Sequence, residues 1–135
     1  MTRFLFPVSE IIKVIDGDSV RVRVDLGFKI TKVVDVRIEG VDAPEVRGSS
    51  KKAGKAVRGW VADWLEDRMS EGLKLDSKEL DKYGRSLGDL VAYGKKLSTT
   101  LLVSKLAKPY DGGPKSEWAA DELKAAQQLV GRLKP

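Results

Sequence analysis

From Val20 to Glu39 apolar and charged residues alternate in two successive runs, and this alternation constrains the fold more than any other stretch. Val20, Val22, Val24 and Leu26 alternate with Arg21, Arg23 and Asp25, and Val34, Val36 and Ile38 alternate with Asp35, Arg37 and Glu39. A period of two sends successive side chains to opposite faces, so each run is a strand with one face buried. Residues 27–31 are the predicted turn. With the hairpin centred near Lys29, antiparallel pairing sets Asp18 opposite Gly40, beside Asp42 and a few residues from Arg37.

The next signal has helical spacing. Ala53, Ala56, Val57, Trp60, Val61, Trp64 and Leu65 recur at steps of three and four, which predicts a helix over 53–68 with one apolar stripe. Gly54 and Gly59 each weaken such a helix by about 1 kcal/mol relative to alanine, so packing must hold it, and both tryptophans are assigned to the core. Leu73 and Leu75 suggest a short strand, residues 85–93 another, and residues 96–105 a helix. Residues 108–114 read as a loop. A last helix is expected from about 115 to 133, with Trp118, Ala119, Glu122, Ala126, Leu129, Val130 and Leu133 on one face. Three strands, a helix, two strands and further helices make an α+β chain. The expected architecture is a five-stranded OB-type β-barrel with about three packed α-helices. At 135 residues it is expected to be a single domain over 1–135.

Composition narrows the chemistry. The chain has no cysteine and no histidine. That removes thiolate nucleophiles, Cys-based zinc sites and every histidine-dependent hydrolytic mechanism. A general base must be a carboxylate, a lysine, a tyrosine or a hydroxide held by a metal. Any metal site must be built from oxygen donors, which points to Ca²⁺ or Mg²⁺. A net charge of +5 favours a polyanionic partner. No run approaches the roughly 18 apolar residues of a membrane span, so no membrane partner is expected. The short apolar run near the N-terminus, broken by Pro7, is too short for a secretory leader, so the expected location is the cytoplasm, or the chain is the mature form of an exported protein. A monomer is expected.

Three short motifs carry charge in patterns that invite chemistry. D-G-D-S at 16–19 reads as a turn, or as carboxylates poised for a metal. V-D-A-P-E at 41–45 reads as a helix start, or as a rigid pair of carboxylates around Pro44 in which one ligates a cation while the other faces its water. D-K-Y-G-R at 81–85 is a solvated loop, or a turn that Gly84 sets so that Arg85 reaches the pocket of Arg37. Together they supply oxygen ligands for a cation, two guanidinium groups for a phosphate and one spare carboxylate for water, the set that phosphodiester hydrolysis needs.

D-G-D-S, V-R-I-E-G-V-D-A-P-E and D-K-Y-G-R, in this order around a helix, resemble the staphylococcal nuclease family over residues 11–108. The resemblance implies an OB barrel that cleaves DNA and RNA with Ca²⁺ and little sequence preference, leaving 3′-phosphate ends, with unpaired or frayed strands suiting the exposed pocket. It implies Asp18, Asp42 and the backbone carbonyl of Ala43 as metal ligands, with Asp16 in an outer shell. It implies Arg37 and Arg85 on the scissile phosphate and Glu45 as the base or water-orienting residue. Lys82 and Tyr83 would contact a nucleotide phosphate, and Tyr110 is the residue available for base stacking. The chain departs from the family in Ala43, where a hydroxyl residue is usual, in Ser19 for threonine, and in a shorter tyrosine-bearing stretch after Leu106. The rival reading is a non-catalytic OB-fold module that binds nucleic acid or protein.

Overall fold

The computed structural model describes residues 4–81 and 83–133. In chain order the elements are β1 (Phe4–Asp16), β2 (Ser19–Asp25), β3 (Thr31–Ile38), β4 (Val41–Asp42), α1 (Lys51–Met69), β5 (Lys74–Leu80), β6 (Ser86–Ala92), β7 (Lys95–Lys96), α2 (Leu97–Val103), β8 (Lys108–Pro109) and α3 (Ala120–Val130). Strands β3, β2, β1, β5 and β6 are neighbours in that order, and β6 returns to pair with β3 in parallel through Val36↔Ser86, Arg37↔Leu87 and Ile38↔Gly88. That last pairing closes the five strands into the expected OB-type barrel and removes the open edges.

The alternation in β2 and β3 is what fills the barrel. Val20, Val22, Val24, Val36 and Ile38 are fully buried, joined by Leu75 and Leu90 from β5 and β6. Helix α1 packs on β1 and α3 through Val57, Trp60, Val61, Trp64 and Leu65. Trp60 and Trp64 are core residues, 4% and 1% exposed. The stripe differs from the expectation at one point: Gly54, not Ala56, lies on its buried face. No helix among the described residues is long and apolar enough to cross a membrane.

Four local expectations are corrected. The β2–β3 hairpin pairs Ser19 with Arg37, and Ile38 N–H donates to the carbonyl of Asp18 at 2.8 Å, so Asp18 faces Ile38 and not Gly40. The reason is a tighter turn in which Gly27, Phe28 and Lys29 all adopt positive φ. The short strand at Leu73–Leu75 is the start of the longer β5, whose D-S-K-E-L half has no apolar alternation and is held by pairing with β1 and β6. The loop expected over 108–114 opens with β8, whose Lys108 and Pro109 pair with Asp42 and Val41. Helix α3 begins at Ala120, not near Lys115, because the Glu122 carboxylate accepts the N–H of Ala119 at 2.8 Å and caps the first turn there. Residues 111–119 instead cross the barrel end as irregular chain.

Gly54 ties α1 to the segment that carries Glu45. A Cβ at Gly54 would stand 2.1 Å from the Glu45 carbonyl oxygen and 2.8 Å from the Val46 nitrogen. Gly54→Ala should gain about 1 kcal/mol of helix propensity yet destabilise the protein by about 1–3 kcal/mol through this overlap. Urea unfolding reads the difference as a lower midpoint at unchanged slope. A midpoint equal to or above that of the parent chain would mean that helix and loop part freely.

Candidate active site

D-G-D-S is a hairpin turn, and the turn delivers a carboxylate. Asp16 pairs with Ser19, leaving Gly17 and Asp18 as the two residues that join β1 to β2. A Cβ on Gly17 would lie 2.7 Å from Val57 Cγ1 and 3.0 Å from Ala43 Cβ, so only glycine lets α1 and the Ala43 segment close over the turn. Asp18 Oδ2 accepts the N–H of Ala43 at 2.9 Å, and Oδ1 accepts the Ser19 hydroxyl at 3.2 Å. Asp16 Oδ1 accepts the N–H of Val46 at 3.2 Å, so the two carboxylates of the turn hold the chain on either side of Pro44 and Glu45.

Arg37 reaches this cluster from the end of β3. Its guanidinium donates from Nη1 to the Ile38 carbonyl and from Nη2 to the Val41 carbonyl, both at 2.8 Å, and Nη1 stands 3.6 Å from Asp18 Oδ2. Two of its five N–H groups are thus spent on backbone oxygens that fix the fork in place, and three remain. Arg37 opens on a cleft of about 380 Å³ shared with Leu87 and Tyr110, and it lies 5.6 Å from the Tyr110 ring centre.

Asp42 is buried beside Asp18, each carboxylate residue only 5% exposed. Burial raises the Asp42 pKa above the ordinary carboxylate value; the Lys115 ammonium opposes the shift, the Asp18 carboxylate adds to it and Arg37 opposes it. Glu45 lines a cleft of about 300 Å³ with Asp42, Ala43, Lys115 and Trp118. Its side chain is half exposed, with Arg47 Nε at 3.6 Å from Oε2. Its carbonyl accepts the Ser50 hydroxyl at 2.9 Å, which anchors its backbone to the foot of α1.

Arg85 is not brought to the pocket of Arg37. The register sets Arg37 against Leu87, so the Arg85 backbone sits two residues, about 7 Å, back along β6. Its side chain turns instead onto Asp81, with Nε donating to Oδ2 at 2.8 Å, and lines a separate groove of about 580 Å³ with Arg21, Asp35 and Tyr83. The cause is Asp81, whose Oδ1 also accepts the N–H groups of Tyr83 and Arg85 at 2.9 Å each. Partial burial pushes the Asp81 pKa up, but the two backbone N–H groups and the Arg85 guanidinium together bring it below the ordinary value. Tyr83 is exposed, with Arg85 5.5 Å from its ring centre. Lys82 lies outside the described residues. Tyr110 sits at the Arg37 cleft, its N–H donating to the Gly40 carbonyl at 2.9 Å and its hydroxyl to the Gly113 carbonyl at 2.6 Å.

The donor set suits a hard divalent cation. Asp18, Asp42 and the carbonyl of Ala43 are all oxygen donors from one buried stretch of chain, and two buried carboxylates whose charges act on each other need positive charge between or beside them. Among the described residues no group of three or more acidic side chains gathers at one point, so water and substrate oxygens would complete a coordination shell. The corner also contains Lys115 and Trp118, to which the sequence draws no attention: Lys115 is one lysine among many, and Trp118 reads as an ordinary apolar helix position. The pairing of β8 with β4, with the Tyr110 N–H on the Gly40 carbonyl beside it, carries that segment to Asp42.

Comparison with known proteins bears on this arrangement. Residues 35–131 match the family of staphylococcal nuclease homologues. Over 80 residues the chain is 35% identical to Protein ParB of Escherichia coli, covering 58% of this chain and 38% of that protein. Over 83 residues it is 31% identical to a Micrococcal nuclease of Shigella flexneri, covering 62% of this chain and 41% of that protein. The matched stretches span about two-fifths of the length of these curated relatives. The family match takes in Arg37, Asp42, Glu45, Arg85 and the whole of α3, and it agrees with the closed barrel. By that match the chain belongs to the staphylococcal nuclease homologue family.

Proposed function

We propose that this chain is a Ca²⁺-dependent nuclease that hydrolyses phosphodiester bonds of DNA and RNA with little sequence specificity, leaving 3′-phosphate ends. The observation that carries the reading is the buried Asp18–Asp42 carboxylate corner, with Arg37 3.6 Å from Asp18 and Glu45 on the same cleft as Asp42. Asp18, Asp42 and the Ala43 carbonyl would hold Ca²⁺, with Asp16 supporting from an outer shell. Bound there, Ca²⁺ supplies Lewis-acid polarisation of a phosphoryl oxygen. Arg37, already pinned by two carbonyls, offers its remaining N–H groups to the phosphate without having to be ordered. Glu45, half exposed on the cleft, orients or deprotonates the attacking water. Arg85 joins the phosphate once released from Asp81, and Lys82, Tyr83 and Tyr110 contact the nucleotide. Unpaired or frayed strands are the favoured substrate.

The Arg85–Asp81 pair, which keeps this guanidinium from a phosphate, favours the second reading, a non-catalytic OB-fold module that binds nucleic acid or protein. Incubating the purified protein with single-stranded DNA in Ca²⁺, with EDTA alongside, separates the two. The nuclease reading expects 3′-phosphate products that vanish in EDTA and a melting temperature that rises in millimolar Ca²⁺, because Ca²⁺ binds the folded state. Cleavage that persists in EDTA overturns the metal assignment. Binding without cleavage in Ca²⁺, Mg²⁺ and Mn²⁺ alike gives the second reading.

A further inference from the structure

The segment after β8 is fastened across the carboxylate corner. Lys108 and Pro109 pair with Asp42 and Val41, the Tyr110 N–H donates to the Gly40 carbonyl, and Asp111 Oδ1 accepts the Gly113 N–H at 2.9 Å. The far end of this loop brings Lys115 Nζ to 3.6 Å from Asp42 Oδ1 and 5.6 Å from the Tyr110 ring centre. Among the described residues each carboxylate of the corner has one ion-pair contact, Arg37 on Asp18 and Lys115 on Asp42, at the same 3.6 Å. The two cations differ in how firmly they are held. Arg37 is 7% exposed and tied to two carbonyls, whereas Lys115 is 42% exposed on an irregular loop. Lys115 is the cation that can leave.

We propose that Lys115 is the resident counter-cation of Asp42, displaced when a divalent cation enters, so that this one lysine sets the affinity of the corner for Ca²⁺. The proposal rests on the metal reading above. An ammonium and a divalent ion that share one carboxylate compete, and binding of the ion must include the free energy of expelling the ammonium. Lys115→Met removes the competitor, with a stem that still covers apolar surface. Lys115→Arg keeps a cation at the same point.

Isothermal titration of the full chain with CaCl₂ tests the assignment. Lys115→Met should bind Ca²⁺ roughly threefold to tenfold more tightly than the parent, at or above the upper range for an exposed ion pair because Asp42 is buried. Lys115→Arg should stay near the parent. Lys124→Met, which removes the same charge from an exposed position on α3, should also stay near the parent, separating local competition from net charge. Without Ca²⁺, Lys115→Met should melt below the parent, since Asp42 has lost its counter-charge, and Ca²⁺ should raise its melting temperature by more. Parental binding with an unchanged or weaker Lys115→Met overturns the counter-cation role and leaves the metal site standing. Absence of binding in every variant overturns both.

Discussion

Glu45→Gln should lower turnover on single-stranded DNA at least about 100-fold, the low end of what a positioned general base contributes, and leave DNA affinity almost unchanged. The substitution is nearly isosteric and the side chain is half exposed, so it opens no cavity. Among the described residues its one ion pair is a 3.6 Å contact with the exposed Arg47, a pair whose loss costs little. Stability should therefore stay within about 0.5 kcal/mol of the parent, the usual span for a surface change. Any loss of rate is then chemical, not a loss of fold. Single-turnover cleavage beside fluorescence binding with the same oligonucleotide separates the terms. A fall in rate with constant affinity means that Glu45 acts only in the transition state. Equal losses of rate and affinity would make it a binding residue, and near-parental cleavage would remove it from the reaction.

The barrel was legible because its strands announce themselves by alternation. Val20, Val22, Val24, Val36 and Ile38 are buried on the side the period assigns, Val34 is partly buried there, and Leu26 is exposed beyond the end of β2. The register was not, because Phe28 and Lys29 take the left-handed conformation that a sequence advertises only through glycine or asparagine. A two-residue error nevertheless left Asp18 near Asp42, since the β1–β2 turn and the Gly40 turn lie at the same barrel end and Ala43 N–H closes the gap. The direction of the Arg85 side chain is hidden for a different reason. Gly84 alone would aim it at the Arg37 pocket, whereas Asp81 captures the N–H groups of Tyr83 and Arg85 and then the guanidinium itself. An aspartate two and four residues before its partners is the signature of such a turn, and it was present in D-K-Y-G-R. Lys115 had no comparable signal, because its meeting with Asp42 depends on a strand pair of two residues a side.

Arg37→Met should destabilise the protein by about 3–5 kcal/mol, the usual cost of removing one partner of a buried ion pair. The guanidinium serves the fold before it serves any phosphate. It satisfies the carbonyls of Ile38 and Val41 and stands beside a carboxylate that is itself 7% exposed. Methionine fills much of the volume but leaves two carbonyl acceptors and the Asp18 charge without this partner. The two costs can be separated. If the charge dominates, adding Asp18→Asn to Arg37→Met should recover at least about 1 kcal/mol, because an amide oxygen still accepts the Ala43 N–H while the unpaired charge is gone. If the carbonyls dominate, the double variant should be no more stable than Arg37→Met, and Arg37→Lys, which restores charge without the fork, should fall well short of the parent. Urea midpoints for the three variants and the parent decide between them. An Arg37→Met midpoint close to the parent would contradict both accounts. The guanidinium would then be free to move and would have to be ordered by the phosphate it meets.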